Sequence, residues 1–78
     1  MQRDDAVTIA AGAGYWDITS YPYGGCFRRA SVDVAGHVER IYSRFNTGTP
    51  REVVVRLADG HRACVQARFV AVTIGAHD

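Results

Sequence analysis

The sharpest alternation of apolar and polar side chains lies in residues 51–66, where two apolar-rich runs, 52–57 and 61–65, flank Ala58-Asp59-Gly60. An Asp-Gly pair between β-branched runs is a hairpin signal, and its register follows from keeping one face dry. A two-residue Asp59-Gly60 turn sets Val53 against Gln66 and Arg56 against Ala63, mixing apolar and charged side chains on both faces. A three-residue loop closed by Gly60 in the left-handed region instead places Leu57 against His61, Val55 against Ala63, Val53 against Val65 and Arg51 against Ala67. The opposite face then carries Arg56 beside Arg62, Val54 beside Cys64 and Glu52 beside Gln66. Past this hairpin the parity changes: Ala63, Val65 and Ala67 point inward, and so do Val70, Val72 and Ile74. That change predicts a bulge or short helical turn at 67–69.

Earlier in the chain, residues 6–21 read as a hairpin about a Gly12-Ala13 type II′ turn, pairing Ile9 with Trp16 and Val7 with Ile18 and making Trp16 a core residue. Pro22-Tyr23-Gly24-Gly25 ends that unit. From Phe27 the alternation of Ala30, Val32 and Val34 extends the dry face into a third strand, with Ile18 meeting Ala30 and Trp16 meeting Val32. Val38, Ile41, Tyr42 and Phe45 then recur at spacings of three and four, the signature of one helical face, and predict a helix over 37–46. Gly36 serves as its N-cap and Asn46 and Gly48 end it; a longer helix capped by Ser31 competes. A strand here, paired with the previous one, sets Asp33 against Glu39 and Val32 against Arg40, which sheets avoid.

The predicted architecture is therefore α+β: a single small domain over 1–78, in the order β-β-β-α-β-β with a short last strand, one helix packed on the apolar face of an antiparallel sheet, and frayed ends at 1–5 and 75–78. The alternative is an all-β, SH3-like small barrel in which 36–41 is a strand.

Seventy-eight residues at 47% hydrophobic content fit one globular domain with little stability to spare for a strained active site. No run approaches the roughly 18 apolar residues of a membrane span, and no apolar segment follows the polar start, so a cytoplasmic protein with free thiols at Cys26 and Cys64 is expected. All nine basic residues are Arg, a usage consistent with a GC-rich bacterial or phage genome. The net charge of +1 is unevenly spread, since residues 26–70 carry +4 and the remainder −3.

The chemistry-bearing residues make no catalytic pattern. His61-x-x-Cys64 is one His and one Cys on opposite faces of a strand rather than a repeated Cys-x-x-Cys metal motif, and the same alternation separates Cys64 from His61 as nucleophile and base. No pair of adjacent carboxylates suits acid and base work, and Gly12-Ala13-Gly14 lacks the Lys-Ser/Thr and the helix of a phosphate cradle. Arg28-Arg29-Ala30-Ser31-Val32 resembles the substrate consensus of basophilic Ser/Thr kinases, which in an ordered strand reads as a chance match. We expect no enzyme, cofactor or metal.

The expected function is that of a small non-catalytic protein-binding module, an inhibitor or adaptor of the kind carried by phages and mobile elements. It resembles anti-CRISPR proteins in size alone, with no shared motif. The alternative is a nucleic-acid binder using Arg56, Arg62, Arg68 and Arg28 on a sheet face, with Tyr15 or Tyr23 for stacking. Those six residues are the candidate partner-binding set. An exposed edge strand offers a route to homo-oligomers, and no membrane partner is expected.

Overall fold

A computed structural model describes residues 1–20, 25–43 and 50–73. The ordered elements are strands β1 (Ala6–Ile9), β2 (Gly14–Asp17), β3 (Cys26–Arg29), β4 (Val34–Ser43), β5 (Pro50–Leu57) and β6 (Arg62–Gln66), a 3₁₀ turn at Ala67–Phe69, and β7 (Val70–Val72). All seven strands form one antiparallel sheet in the order β3-β2-β6-β5-β4-β1-β7. With no helix to cover it among the described residues, a single sheet can bury its apolar side only by curling on itself. Val7 and Ile9 of β1 accordingly share one core with Val38, Val53, Val55, Ala63, Val65 and Val70.

The β5–β6 hairpin has the register derived above, with Val53 opposite Val65, Val55 opposite Ala63 and Arg56 opposite Arg62. Its loop is closed by Gly60 at φ +90°, a conformation that L side chains resist. The Leu57 N–H donates to His61 O at 2.8 Å and the Gly60 N–H to Leu57 O at 3.0 Å. The predicted helical turn at 67–69 is present and re-aims the chain, so that Val70 enters the core.

The α+β architecture is overturned: 34–43 is a strand, and no α-helix exists among the described residues, so the all-β alternative fits. The helical spacing has a physical origin in a β-bulge. Val38 faces Val55 while Arg40 faces Val54, so Glu39 is an extra residue without a partner on β5. The bulge puts Val38 and Ile41, three apart, on the same face, which imitates a helical period. The objection to a strand presupposed pairing with the preceding strand. The neighbours of β4 are instead β1 and β5, so Asp33 never meets Glu39. The end of the predicted helix at 44–46 lies outside the described residues, as do Tyr21 to Gly24, Ile74 and the last four residues.

The first hairpin is also corrected. β1 and β2 do not pair: β1 lies between β4 and β7, and β2 between β3 and β6. Gly12 does adopt a positive φ, but its N–H donates to Ala30 O at 2.7 Å, and the bend sends the two strands to separate parts of the sheet. Trp16 therefore faces Phe27 and Cys64 on the outer surface and is 53% exposed, and Val32 is exposed rather than paired with it. The hydrophobicity of Trp16 was a sound reason to expect burial, but its parity on β2 is opposite to that of Ala13 and Tyr15, which take the inner positions.

Candidate functional site: the outer sheet face and its two ends

Strand alternation places three cross-strand rows on the outer face of the sheet. The middle row runs Phe27, Trp16, Cys64, Val54 and Arg40 across β3, β2, β6, β5 and β4. One flanking row contains Arg29 beside Gly14, and Gln66, Glu52 and Tyr42 in succession; the other contains Arg62, Arg56 and His37. The aromatic pair is the most prominent feature. The Trp16 and Phe27 rings meet edge to face at 5.5 Å between centroids, and each is 53% exposed. Phe27 lies over Gly14, where a Cβ would collide with the ring, so the missing side chain at 14 makes the seat for the aromatic. Tyr42 is also exposed, and its hydroxyl accepts a long 3.5 Å hydrogen bond from Arg40 Nη1.

The Arg56–Arg62 pair is partly resolved within the chain. Glu39, pushed out by the bulge, receives Arg62 on both carboxylate oxygens, at 2.9 Å from Nε and 2.8 Å from Nη2. The bidentate geometry fixes Arg62 and gives one member of the like-charged pair a counter-ion. Among the described residues no acidic side chain pairs with Arg56. Cys64 Sγ lies 3.6 Å from Glu52 Oε2, and burial, followed by the Glu52 charge, pushes its thiol pKa up, away from a reactive thiolate.

At one end of the sheet the inner face carries a polar cluster that sequence reasoning missed. Asp17, on β2, is 8% exposed and accepts hydrogen bonds from the Thr19 N–H at 3.0 Å, from the Thr19 hydroxyl and from Arg28 Nε at 3.1 Å, with His61 Nδ1 at 2.9 Å. The Thr19 hydroxyl oxygen in turn accepts the Arg62 N–H at 3.0 Å. The Thr19 hydroxyl first, then the Thr19 N–H, with smaller help from His61 and Arg28, hold the Asp17 carboxyl well below the usual carboxylate range against the opposing effect of burial. The cluster ties β2, β3 and the start of β6 together. No local signal announces it, because Asp17 and His61 meet only through the β2–β6 pairing.

The six predicted partner-binding residues are therefore scattered. Arg56 and Arg62 share one outer row, whereas Arg28 turns to Asp17 and Tyr15 packs against the core from the inner face. Arg68 sits on the 3₁₀ turn with its guanidinium 4.7 Å from the centroid of the Phe69 ring. Tyr23 lies outside the described residues. The exposed aromatics Trp16, Phe27 and Tyr42 lie outside that predicted set. The alternation pattern predicts Trp16 in the core and Tyr42 on a helix, so it points neither of them to a sheet surface.

The two outer strands differ in charge. β3 carries Arg28 and Arg29, which discourage addition of another strand, and β7 carries none. Among the described residues there is no group of three or more metal-ligating side chains and no helix long and apolar enough to cross a membrane. No family model matches the chain, and neither a curated protein nor a solved structure matches it.

Proposed function

We propose that this protein is a non-catalytic protein-binding module, an inhibitor or adaptor, and that it meets its partner through the outer face of β2, β3 and β4. The observation that carries this reading is the half-exposed Trp16–Phe27 pair. Leaving half of two large rings in water forgoes on the order of 1 kcal/mol of burial for each, and nothing in the folding of the chain requires it. Aromatic side chains and Arg are enriched at protein interface hot spots. Arg29 and Arg40 stand in and beside the aromatic row, with Tyr42 next to Arg40.

The electrostatics favour a protein over nucleic acid. Glu39 neutralises Arg62, Glu52 stands on the same face, and the net charge is only +1. Few phosphates could be neutralised by such a surface.

The test is site-specific photo-crosslinking in the native host, with the photoreactive side chain at position 16 or 27 and, as a control, at exposed Val32. One discrete protein adduct from 16 and 27 but not from 32, lost in Arg40→Glu, is the expected result. Equal labelling from all three positions overturns the reading. Quenching of Trp16 by an oligothymidylate with a steep salt dependence replaces the protein partner with single-stranded nucleic acid.

A further inference from the structure

A groove of about 520 Å³ opens where the β5–β6 turn diverges from the β1–β4 pair. That volume is within the range of about 300–1,000 Å³ usual for small-molecule sites. Ala6, Ala35 and Leu57 supply apolar walls, Thr73 contributes a hydroxyl, Arg56 supplies a positive charge at the rim, and His37 adds a hydrogen-bonding imidazole. No acidic side chain lines it among the described residues.

The rim is electrostatically incomplete. Arg56 stands directly opposite Arg62, and His37, directly opposite Arg56, adds a hydrogen-bonding imidazole to the same cross-strand row. The two guanidinium groups repel. Glu39 relieves Arg62 alone, because both of its oxygens are taken by that guanidinium. A second carboxylate at the groove mouth would complete the alternation of charge, and a guanidinium receives a carboxylate through two parallel N–H donors.

From these features we infer that the groove binds an apolar monocarboxylate, with the carboxylate on Arg56 and His37 and the hydrocarbon part against Ala6, Ala35 and Leu57. The same chemistry is offered by a free short-chain acid and by the C-terminal end of a peptide with an apolar last residue. A multiply charged phosphate suits the site less, since one guanidinium beside an apolar wall supplies neither an Arg cluster nor a row of backbone N–H groups.

The experiment is an amide-resolved NMR titration of the full chain at pH 7 with sodium hexanoate, with acetyl-Ala-Leu as the free acid, and with the same peptide as its C-terminal amide. The two acids should shift the amides of Gly36, His37, Leu57 and Gly60 saturably, and the amide should not. Arg56→Gln should weaken the acids at least about tenfold, while Arg51→Gln, exposed near the other end of β5 and not lining the groove, should leave them unchanged. Tighter binding of hexanoate assigns a free acid, and tighter binding of the peptide acid assigns a chain end. Equal binding of acid and amide, unchanged affinity in Arg56→Gln, or no saturable shift at millimolar concentration overturns the inference. Because Arg56 is exposed, the variant should melt with the wild type, and the comparison is made on folded protein.

Discussion

Asp17 is the single polar side chain whose loss should be felt most. Removing its carboxylate in Asp17→Ala strips the acceptor from the Thr19 N–H and hydroxyl and from Arg28, and the partner from His61. A hydrogen bond to a charged group contributes about 1.5–3 kcal/mol, but the members of one cluster do not add. Arg28 and His61 are about half exposed and can turn to water, so the loss falls mainly on Thr19 and on the join between β2 and β6. We expect about 2–4 kcal/mol for Asp17→Ala, with Asp17→Asn at the lower end because it keeps one acceptor oxygen. In a domain of this size that is a fall in Tm on the order of 10–25 °C. The folded-state carboxyl is held below its ordinary value, so its stabilisation is complete above the unfolded value of about 4 and is lost as pH falls from there. Thermal unfolding followed by far-UV circular dichroism at pH 7 and pH 3 should show a large gap between wild type and Asp17→Asn at pH 7 and a narrower one at pH 3. A gap under about 2 °C at pH 7, or one that widens in acid, refutes the assignment of the cluster as a structural tie.

Gly60→Val should destabilise by about 1–3 kcal/mol, since a β-branched residue resists the positive φ there, and a chemical-denaturation midpoint equal to wild type would remove that turn geometry. Gly36→Ala should cost at least as much, because its Cβ would lie 2.8 Å from the Arg56 carbonyl oxygen and 2.5 Å from a Val55 methyl; thermal melting checks it. Glu39→Gln should lower stability by no more than about 1 kcal/mol, with the difference shrinking in high salt, because the ion pair is partly exposed and Arg62 would then face Arg56 without its counter-ion. Trp16 emission should be red-shifted and readily quenched by acrylamide, and a blue-shifted, protected spectrum would place the ring back in the core.

Local chemistry determined what local chemistry can. The β5–β6 hairpin, its three-residue loop and every cross-strand pair from Glu52–Gln66 to Arg56–Arg62 follow from Asp59-Gly60 and the demand for one dry face, because the two strands are joined by the turn itself. The 3₁₀ turn at Ala67–Phe69 was legible for a similar reason, as the point where apolar parity must change. The candidate surface is legible only as far as that hairpin reaches, so the sequence places Arg56 opposite Arg62 but not Glu39 against Arg62. What the tertiary structure decided is which distant strands meet. Val38 and Ile41 carry the same spacing in a bulged strand as in a helix, and only the partnership with β5 distinguishes the two. Trp16 carries the same hydrophobicity on either face of β2, and only pairing of β2 with β6, across nearly fifty residues, turns it outward and brings Asp17 to His61. Such pairings are selected by the burial of the whole core against the entropy of closing long loops. No window of neighbouring residues contains that balance.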